Sequence, residues 1–150
     1  MKKRIRLLIV DDQEPIRRGL RALLALYPEL ELVGEAADGL EAIRMARESQ
    51  PDVILMDMQM PVIDGLEATR RIKDRWSEIK IVALTFYQKY RAPAISAGVD
   101  GFLLKGCATK TLMDTIMDLR NSPTPELTGE SDHSSAEAIR RTTEPDDYEV

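Results

Sequence analysis

Along the first 120 positions, short apolar runs alternate with segments in which apolar residues recur every three or four positions. The runs are Ile5-Arg6-Leu7-Leu8-Ile9-Val10, Leu32-Val33-Gly34-Glu35-Ala36, Val53-Ile54-Leu55-Met56, Ile79 to Leu84, and Phe102-Leu103-Leu104. Bounded by turn residues, such runs predict buried strands, and the 3.6-residue period between them predicts amphipathic helices. Ile16, Leu20, Leu23 and Leu24 mark the inner face of a first helix, with Pro15 at its first position after a turn at 11–14 and Tyr27-Pro28 as its end. Asp38 suits the N-cap of a second helix running to about Gln50, with Leu40, Ile43 and Ala46 inward. Asp64-Gly65 introduces a third helix carrying Leu66, Thr69, Ile72 and Trp76. Pro93 cannot sit in a helix interior, so the fourth is expected from about Ala92 to Gly98. Thr109 is expected to cap the last helix, with Leu112, Ile116 and Leu119 inward.

Five strand–helix units in strict alternation imply an α/β fold, with a parallel sheet covered by helices on both faces. Right-handed crossovers then leave few topologies. Ligands of such sheets bind outside the carboxyl ends of the strands. Asp11, Asp12, Asp57, Thr85 and Lys105 all stand at those ends.

The chain has 150 residues, enough for one domain with a real core. Residues 1–120 are nearly neutral, with 19 Lys and Arg against 18 Asp and Glu, so no nucleic-acid or membrane surface is advertised. Residues 121–150 carry two Arg against eight acids and almost no large apolar residue. That segment cannot bury enough surface to offset its ordering entropy and is expected to be a disordered acidic Ser/Thr/Pro-rich tail, with a short helix conceivable at 135–141. No apolar run approaches the ~18 residues of a membrane span, no signal-peptide pattern follows Met1, and the single Cys107 cannot form an internal disulfide. A cytoplasmic location is expected. His133, the one histidine, falls in the tail.

Gathering three carboxylates has little structural reason, since each pair at about 4 Å repels by roughly 4 kcal/mol at an effective dielectric of 20. Oxygen donors without thiols or a suitable histidine favour a hard divalent cation, most simply Mg²⁺. A carboxylate beside such an ion can attack phosphorus, while an ammonium and a hydroxyl stabilise the transferring group. Lys105 and Thr85 supply those two groups. Taken singly, Asp11-Asp12 could equally be a helix N-cap and first-turn acid, and Asp57 could be turn chemistry before Pro61. The set of five together argues against that.

In these motifs residues 4–120 resemble a response-regulator receiver domain of two-component signalling. The matching segments are Val10-Asp11-Asp12, Met56-Asp57-Met58-Gln59-Met60-Pro61, Asp64-Gly65, Ala83-Leu84-Thr85 and Gly101-Phe102-Leu103-Leu104-Lys105. Val33-Gly34-Glu35-Ala36, Asp38-Gly39 and Glu41-Ala42 are similar to the NarL/LuxR-type branch. The resemblance implies a flavodoxin-like (CheY-like) sheet in the order 2-1-3-4-5, with a receiver at 1–120 and the tail at 121–150. It implies that a sensor histidine kinase phosphorylates Asp57. It also implies that Asp12, Asp57 and the backbone carbonyl of Gln59 hold Mg²⁺, with Asp11 helping through water. Lys105 is then expected to pair with the phosphoryl group, Thr85 to move toward it, and Phe102 to rotate inward afterwards.

Gln59, Phe86 and Tyr87 are the expected modulators. Phe86 stands where a small residue is usual, so slow exchange of the phosphoryl group is expected. Gly106 replaces a common proline, so no cis peptide is expected after Lys105. Arg17-Arg18, Arg70-Arg71 and Arg140-Arg141 read as solvated pairs, with kinase docking the alternative for Arg17 and Arg18, and Cys107 as a partly buried residue.

The output partner is not written in the chain. A phosphorylation-dependent homodimer is conceivable, and neither membrane nor direct nucleic-acid binding by these residues is expected. A stand-alone receiver acting through protein contacts, with no DNA-binding domain in these residues, is expected; the alternative is the receiver part of a longer NarL/LuxR-type DNA-binding regulator. A rival class is a Mg²⁺-dependent phosphohydrolase with an aspartate nucleophile. Haloacid-dehalogenase-like enzymes need a second Asp two positions on, where this chain has Gln59. A flavin carrier is disfavoured, because no hydroxyl-rich phosphate loop follows the first strand. The protein is therefore expected not to be an enzyme beyond taking and slowly losing its own phosphoryl label.

Overall fold

A computed structural model describes residues 3–122. The expected tail lies outside these residues, apart from Asn121 and Ser122, and so do the 135–141 helix and His133. The elements run β1 (Ile5–Val10), α1 (Glu14–Leu24), β2 (Leu30–Ala36), α2 (Gly39–Ser49), β3 (Val53–Met56), α3 (Gly65–Arg75), β4 (Lys80–Thr85), a 3-10 turn (Gln88–Tyr90), α4 (Arg91–Ala97), β5 (Gly101–Leu104) and α5 (Thr109–Asn121). The five strands form one parallel sheet in the order β2-β1-β3-β4-β5.

The central strands are apolar on both sides because both faces are covered. One face packs Leu8, Val10, Ile54, Met56, Ile81 and Ala83 under α2, α3 and α4. The other packs Leu7, Ile9, Leu55 and Val82 under α1 and α5. Each fully buried aliphatic side chain contributes roughly 1.5–3 kcal/mol by leaving water. Those contributions set the register, and the register sets the strand tips.

Asp38 caps α2 by accepting from the Glu41 N–H at 2.8 Å, and Asp64 caps α3 through the Glu67 N–H at 2.9 Å. α4 is one short element entered through the 3-10 turn, with Pro93 in its first turn, where no N–H is needed. Four expectations need correction. α1 stops at Leu24, and residues 25–27 close the end with turn hydrogen bonds back to Arg21, Leu23 and Leu24. Leu40 is 49% exposed. The inward stripe of α2 is Gly39, Ala42, Ile43 and Ala46, and about 100° of rotation per residue carries Leu40 to the flank. Thr109 is the first helical residue of α5, and its N-cap Ala108 offers no capping side chain. Arg17 is not solvated but held between the Asp11 carbonyl and Glu35. No peptide among the described residues is cis, and Gly106 takes φ +91 in the turn after Lys105.

Candidate functional site

The sheet register brings the candidate residues together. Val10 is paired with Met56 and Thr85 with Leu104, so Asp11 and Asp57 leave adjacent strands side by side and Lys105 follows next to Thr85. The ladder continues one step beyond the strands. Asp11 N–H donates to Ala36 O at 3.0 Å, Asp57 N–H to Val10 O at 2.9 Å, and Lys105 N–H to Thr85 O at 2.7 Å. Three chain-distant backbones are thus fixed before any side chain is considered.

Lys105 Nζ lies 2.7 Å from Asp11 Oδ2 and 3.5 Å from Asp57 Oδ1. Asp11, Asp57 and Thr85 are buried, whereas Asp12 is exposed. Asp11, Asp12 and Asp57 each offer one oxygen within 4.8 Å of the others. Burial, and next the neighbouring Asp11 charge, push the Asp57 carboxyl up to about 6, against the opposing pull of Lys105 and the Gln59 N–H. Two carboxylates sharing a single ammonium leave negative charge uncompensated. Three hard oxygens at this spacing, with no thiol or imidazole among them, fit a divalent cation of the Mg²⁺ kind.

A cleft of about 340 Å³ opens over the acids, lined by Asp12, Asp57, Gln59, Thr85, Phe86 and Lys105 among others. Gln59 is exposed at its rim, and its N–H points to Asp57 Oδ1 at 3.4 Å. Thr85 Oγ1 faces the Tyr87 N–H at 3.4 Å. Phe86 is 57% exposed, and its ring centre lies 4.8 Å from Lys105 Nζ. Tyr87 is exposed and meets Phe86 edge-on with ring centres 6.4 Å apart. Phe102 stands apart from the acids, half-buried against the core, with the Arg91 guanidinium 5.6 Å from its ring centre.

The loop that carries Asp57 into α3 is held by two close backbone approaches. A Cβ on Gly65 would lie 2.0 Å from Asp57 O, and one on Gly39 would lie 2.2 Å from Ile63 O. Gly65 N–H donates to Met58 O at 3.2 Å and Gly39 N–H to Ile63 O at 3.1 Å.

Arg17, expected to be solvated, instead packs behind this site without lining the cleft. It donates from Nη1 to the Asp11 backbone carbonyl at 2.6 Å and pairs with Glu35 at 3.2 Å. The available signal was an acid near the carboxyl end of β2, Glu35, facing a helix with arginines one turn apart at 17 and 21. Cys107 is half-buried as expected, and burial pushes its thiol up.

A family model described as the response regulator receiver domain matches residues 7–117. Among curated proteins, the chain is 44% identical over 114 residues to the transcriptional regulatory protein LiaR of Bacillus subtilis, covering 75% of this chain and 54% of that protein. It is 42% identical over 116 residues to the response regulator protein VraR of Staphylococcus aureus, covering 75% and 54%. The chain spans about half the length of the curated relatives it matches. Among solved structures, a LuxR-family two-component response regulator from Aurantimonas sp. superposes with TM-score 0.76 at 30% identity, covering 93% of this chain and 99% of that one. The response regulator domain of Thermotoga maritima CheB gives TM-score 0.75 at 28% identity, covering 81% and 99%.

Proposed function

We propose that this chain, which belongs to the response regulator receiver family in its NarL/LuxR-type branch, is switched by a phosphoryl group placed on Asp57. The carrying observation is the single ammonium of Lys105 reaching both Asp11 and Asp57 beside the exposed carboxylate of Asp12. Receiver domains bind Mg²⁺ at an acidic pocket. Here Asp12, Asp57 and the Gln59 carbonyl are the proposed ligands, with Asp11 assisting through water. When bound, the ion supplies neutralising charge to the oxygens of the transferring group.

The chain's own residues do the rest. An Asp57 oxygen forms the new P–O bond as the P–N bond to a donor histidine breaks, and the freed imidazole nitrogen takes a proton from solvent. Lys105 follows the charge, exchanging its contact with Asp57 for one with the phosphoryl oxygens. Thr85 donates its hydroxyl to another of those oxygens. Its movement frees space into which Phe102 turns, so a new dianion changes the face made by α4, β5 and α5. Gln59, Phe86 and Tyr87 at the cleft mouth modulate access. Slow loss of the label, rather than turnover of an external substrate, is the activity expected.

A receiver domain implies a histidine kinase partner and an output domain. The kinase, the output protein and any phosphorylation-dependent homodimer belong to this proposal, as does a cytoplasmic location. Among the described residues no helix is long and apolar enough to cross a membrane. A second reading is favoured by relatives described as transcriptional regulators, of which the match covers about half. In it, the same switch drives a DNA-binding output in a longer chain. The intact mass of the protein isolated from its own cell separates the two.

The direct test is incubation with acetyl phosphate and Mg²⁺, followed by intact mass and native sizing. One phosphoryl adduct lost in Asp57→Asn supports the proposal. An unlabelled wild-type protein, or a label that survives Asp57→Asn, refutes it.

A further inference from the structure

One cation reaches the acidic site from behind, through the backbone. Arg17 Nη1 donates to the carbonyl oxygen of Asp11 at 2.6 Å, while its Nε donates to Glu35 Oε1 at 3.2 Å. The Arg17 side chain is only 16% exposed. Arg21, one turn further along α1, pairs with the other oxygen of Glu35. Glu35 stands opposite Ile9 in the β1–β2 ladder, so its position is set by the sheet. The guanidinium is therefore oriented by a carboxylate that is itself held from two elements.

The carbonyl it takes belongs to the peptide joining Asp11 to Asp12. That unit is planar, so fixing its oxygen fixes the plane from which the Asp12 side chain departs. Every other polar group of Asp11 is also engaged. Its N–H meets Ala36 O at 3.0 Å, its Oδ1 accepts from Gln13 N–H at 2.9 Å, and its Oδ2 pairs with Lys105 at 2.7 Å. Asp12 is the exposed member of the acidic set, so its aim depends on the backbone behind it.

We propose that Arg17 is a positioning residue for the metal-binding carboxylates: held by Glu35, it fixes the Asp11–Asp12 peptide and so directs Asp12 toward Mg²⁺. This rests on the site reading above and deepens it. A plain strap between α1 and β2 would affect folding without affecting the ion. Outer-shell partners of metal ligands typically govern 10–100-fold of affinity, and Arg17 is placed as one.

The test is titration of Mg²⁺ alone into ¹⁵N-labelled protein, following the Asp57 and Gly65 amides, beside the Mg²⁺ dependence of labelling by acetyl phosphate. Arg17→Ala is expected to raise the Mg²⁺ dissociation constant and the half-saturating Mg²⁺ for labelling by about tenfold. The maximal rate at saturating Mg²⁺ should stay within about twofold. Arg17→Lys keeps a charge but not the planar fork, and should recover part of the affinity; Glu35→Gln should fall between. In an Asp12→Asn background, Arg17→Ala should add nothing further. A folded Arg17→Ala protein of lower stability that binds Mg²⁺ as wild type does overturns the inference alone. If Arg17→Ala does not fold, Arg17→Lys and Glu35→Gln decide by the same criterion. A wild-type protein that neither binds Mg²⁺ nor takes the label overturns the site reading and this inference with it.

Discussion

Lys105 Nζ lies 4.8 Å from the centre of the Phe86 ring, so the ammonium that serves the acidic pair also rests against an aromatic face. Phe86 borders the cleft above Asp57 and is more than half exposed. A ring there both occupies the approach to the carboxylate and favours Lys105 where it stands, an effect of about 0.5–1 kcal/mol at exposed sites. Phe86→Ala is therefore expected to speed labelling by a small phosphodonor, or loss of the label, by about three- to tenfold, since tenfold needs only about 1.4 kcal/mol. Time courses of intact mass measure both rates. Equal rates in the two proteins would remove Phe86 from the account.

Asp57 gives a pH signature in Mg²⁺-free protein. Its carboxyl is raised from 3.8 to about 6, first by burial and then by Asp11. Between those values the folded state binds more protons than the unfolded one, so stability falls as pH rises through the window. Above it a constant penalty of roughly 3 kcal/mol persists, at about 1.4 kcal/mol per unit. Asp57→Asn should thus stabilise the protein by roughly 2–3 kcal/mol at neutral pH with chelator present, and hardly at all near the lower end of the window. Urea midpoints across the range test this; an equal gain at both ends would assign the effect to packing. Added Mg²⁺ should stabilise the wild type and leave the variant nearly unchanged.

These two residues illustrate what was legible in the chain. Asp57 was visible because an apolar run ends on it and because open α/β sheets bind at strand tips, a rule that needs no coordinates. An apolar run after Pro51-Asp52 likewise placed β3 at Val53–Met56, and residue type placed the Asp38 cap, whereas Asp64 was legible only as a turn before α3 and not as its cap. The Phe86–Lys105 contact was not legible as geometry, because it depends on how two loops leave neighbouring strands. Arg17 was missed for a different reason. Its partner at Asp11 is a backbone oxygen, which every residue has, so no pattern of side chains announces it. Leu40 was misplaced because a helix stripe counted from apolar residues cannot tell which of two adjacent faces meets the sheet.

Two glycines should respond in opposite directions to the same substitution. Gly65 sits where a Cβ would lie 2.0 Å from Asp57 O and 2.7 Å from Met58 Cα, both backbone atoms that cannot step aside cheaply. Gly65→Ala should cost roughly 2 kcal/mol or more and displace Asp57, so labelling should slow as well. Gly19 lies exposed within α1 with nothing within 4 Å of its would-be Cβ. Gly19→Ala should stabilise by about 1 kcal/mol with unchanged labelling, the helix-propensity difference alone. Denaturant midpoints and labelling rates of both variants distinguish the loop contact from a general intolerance of substitution.

Strain is stored one residue beyond Pro61, in the loop that follows Asp57. Val62 has φ +70, left-handed backbone that a β-branched side chain rarely adopts, and the residue is 72% exposed. Nothing buried is gained by the valine to offset a conformational cost of about 1–2 kcal/mol. The conformation is imposed from both sides, since Asp57 is fixed to Val10 and the Ile63 carbonyl is fixed to Gly39 N–H at 3.1 Å. Val62→Gly should therefore stabilise the protein by roughly 0.5–1 kcal/mol, the relief of strain exceeding the added chain entropy of glycine. Val62→Ala keeps a Cβ in the left-handed region and should give less. Urea unfolding of the two variants measures the difference, and destabilisation by Val62→Gly would mean that the exposed valine is held by a contact worth more than the strain.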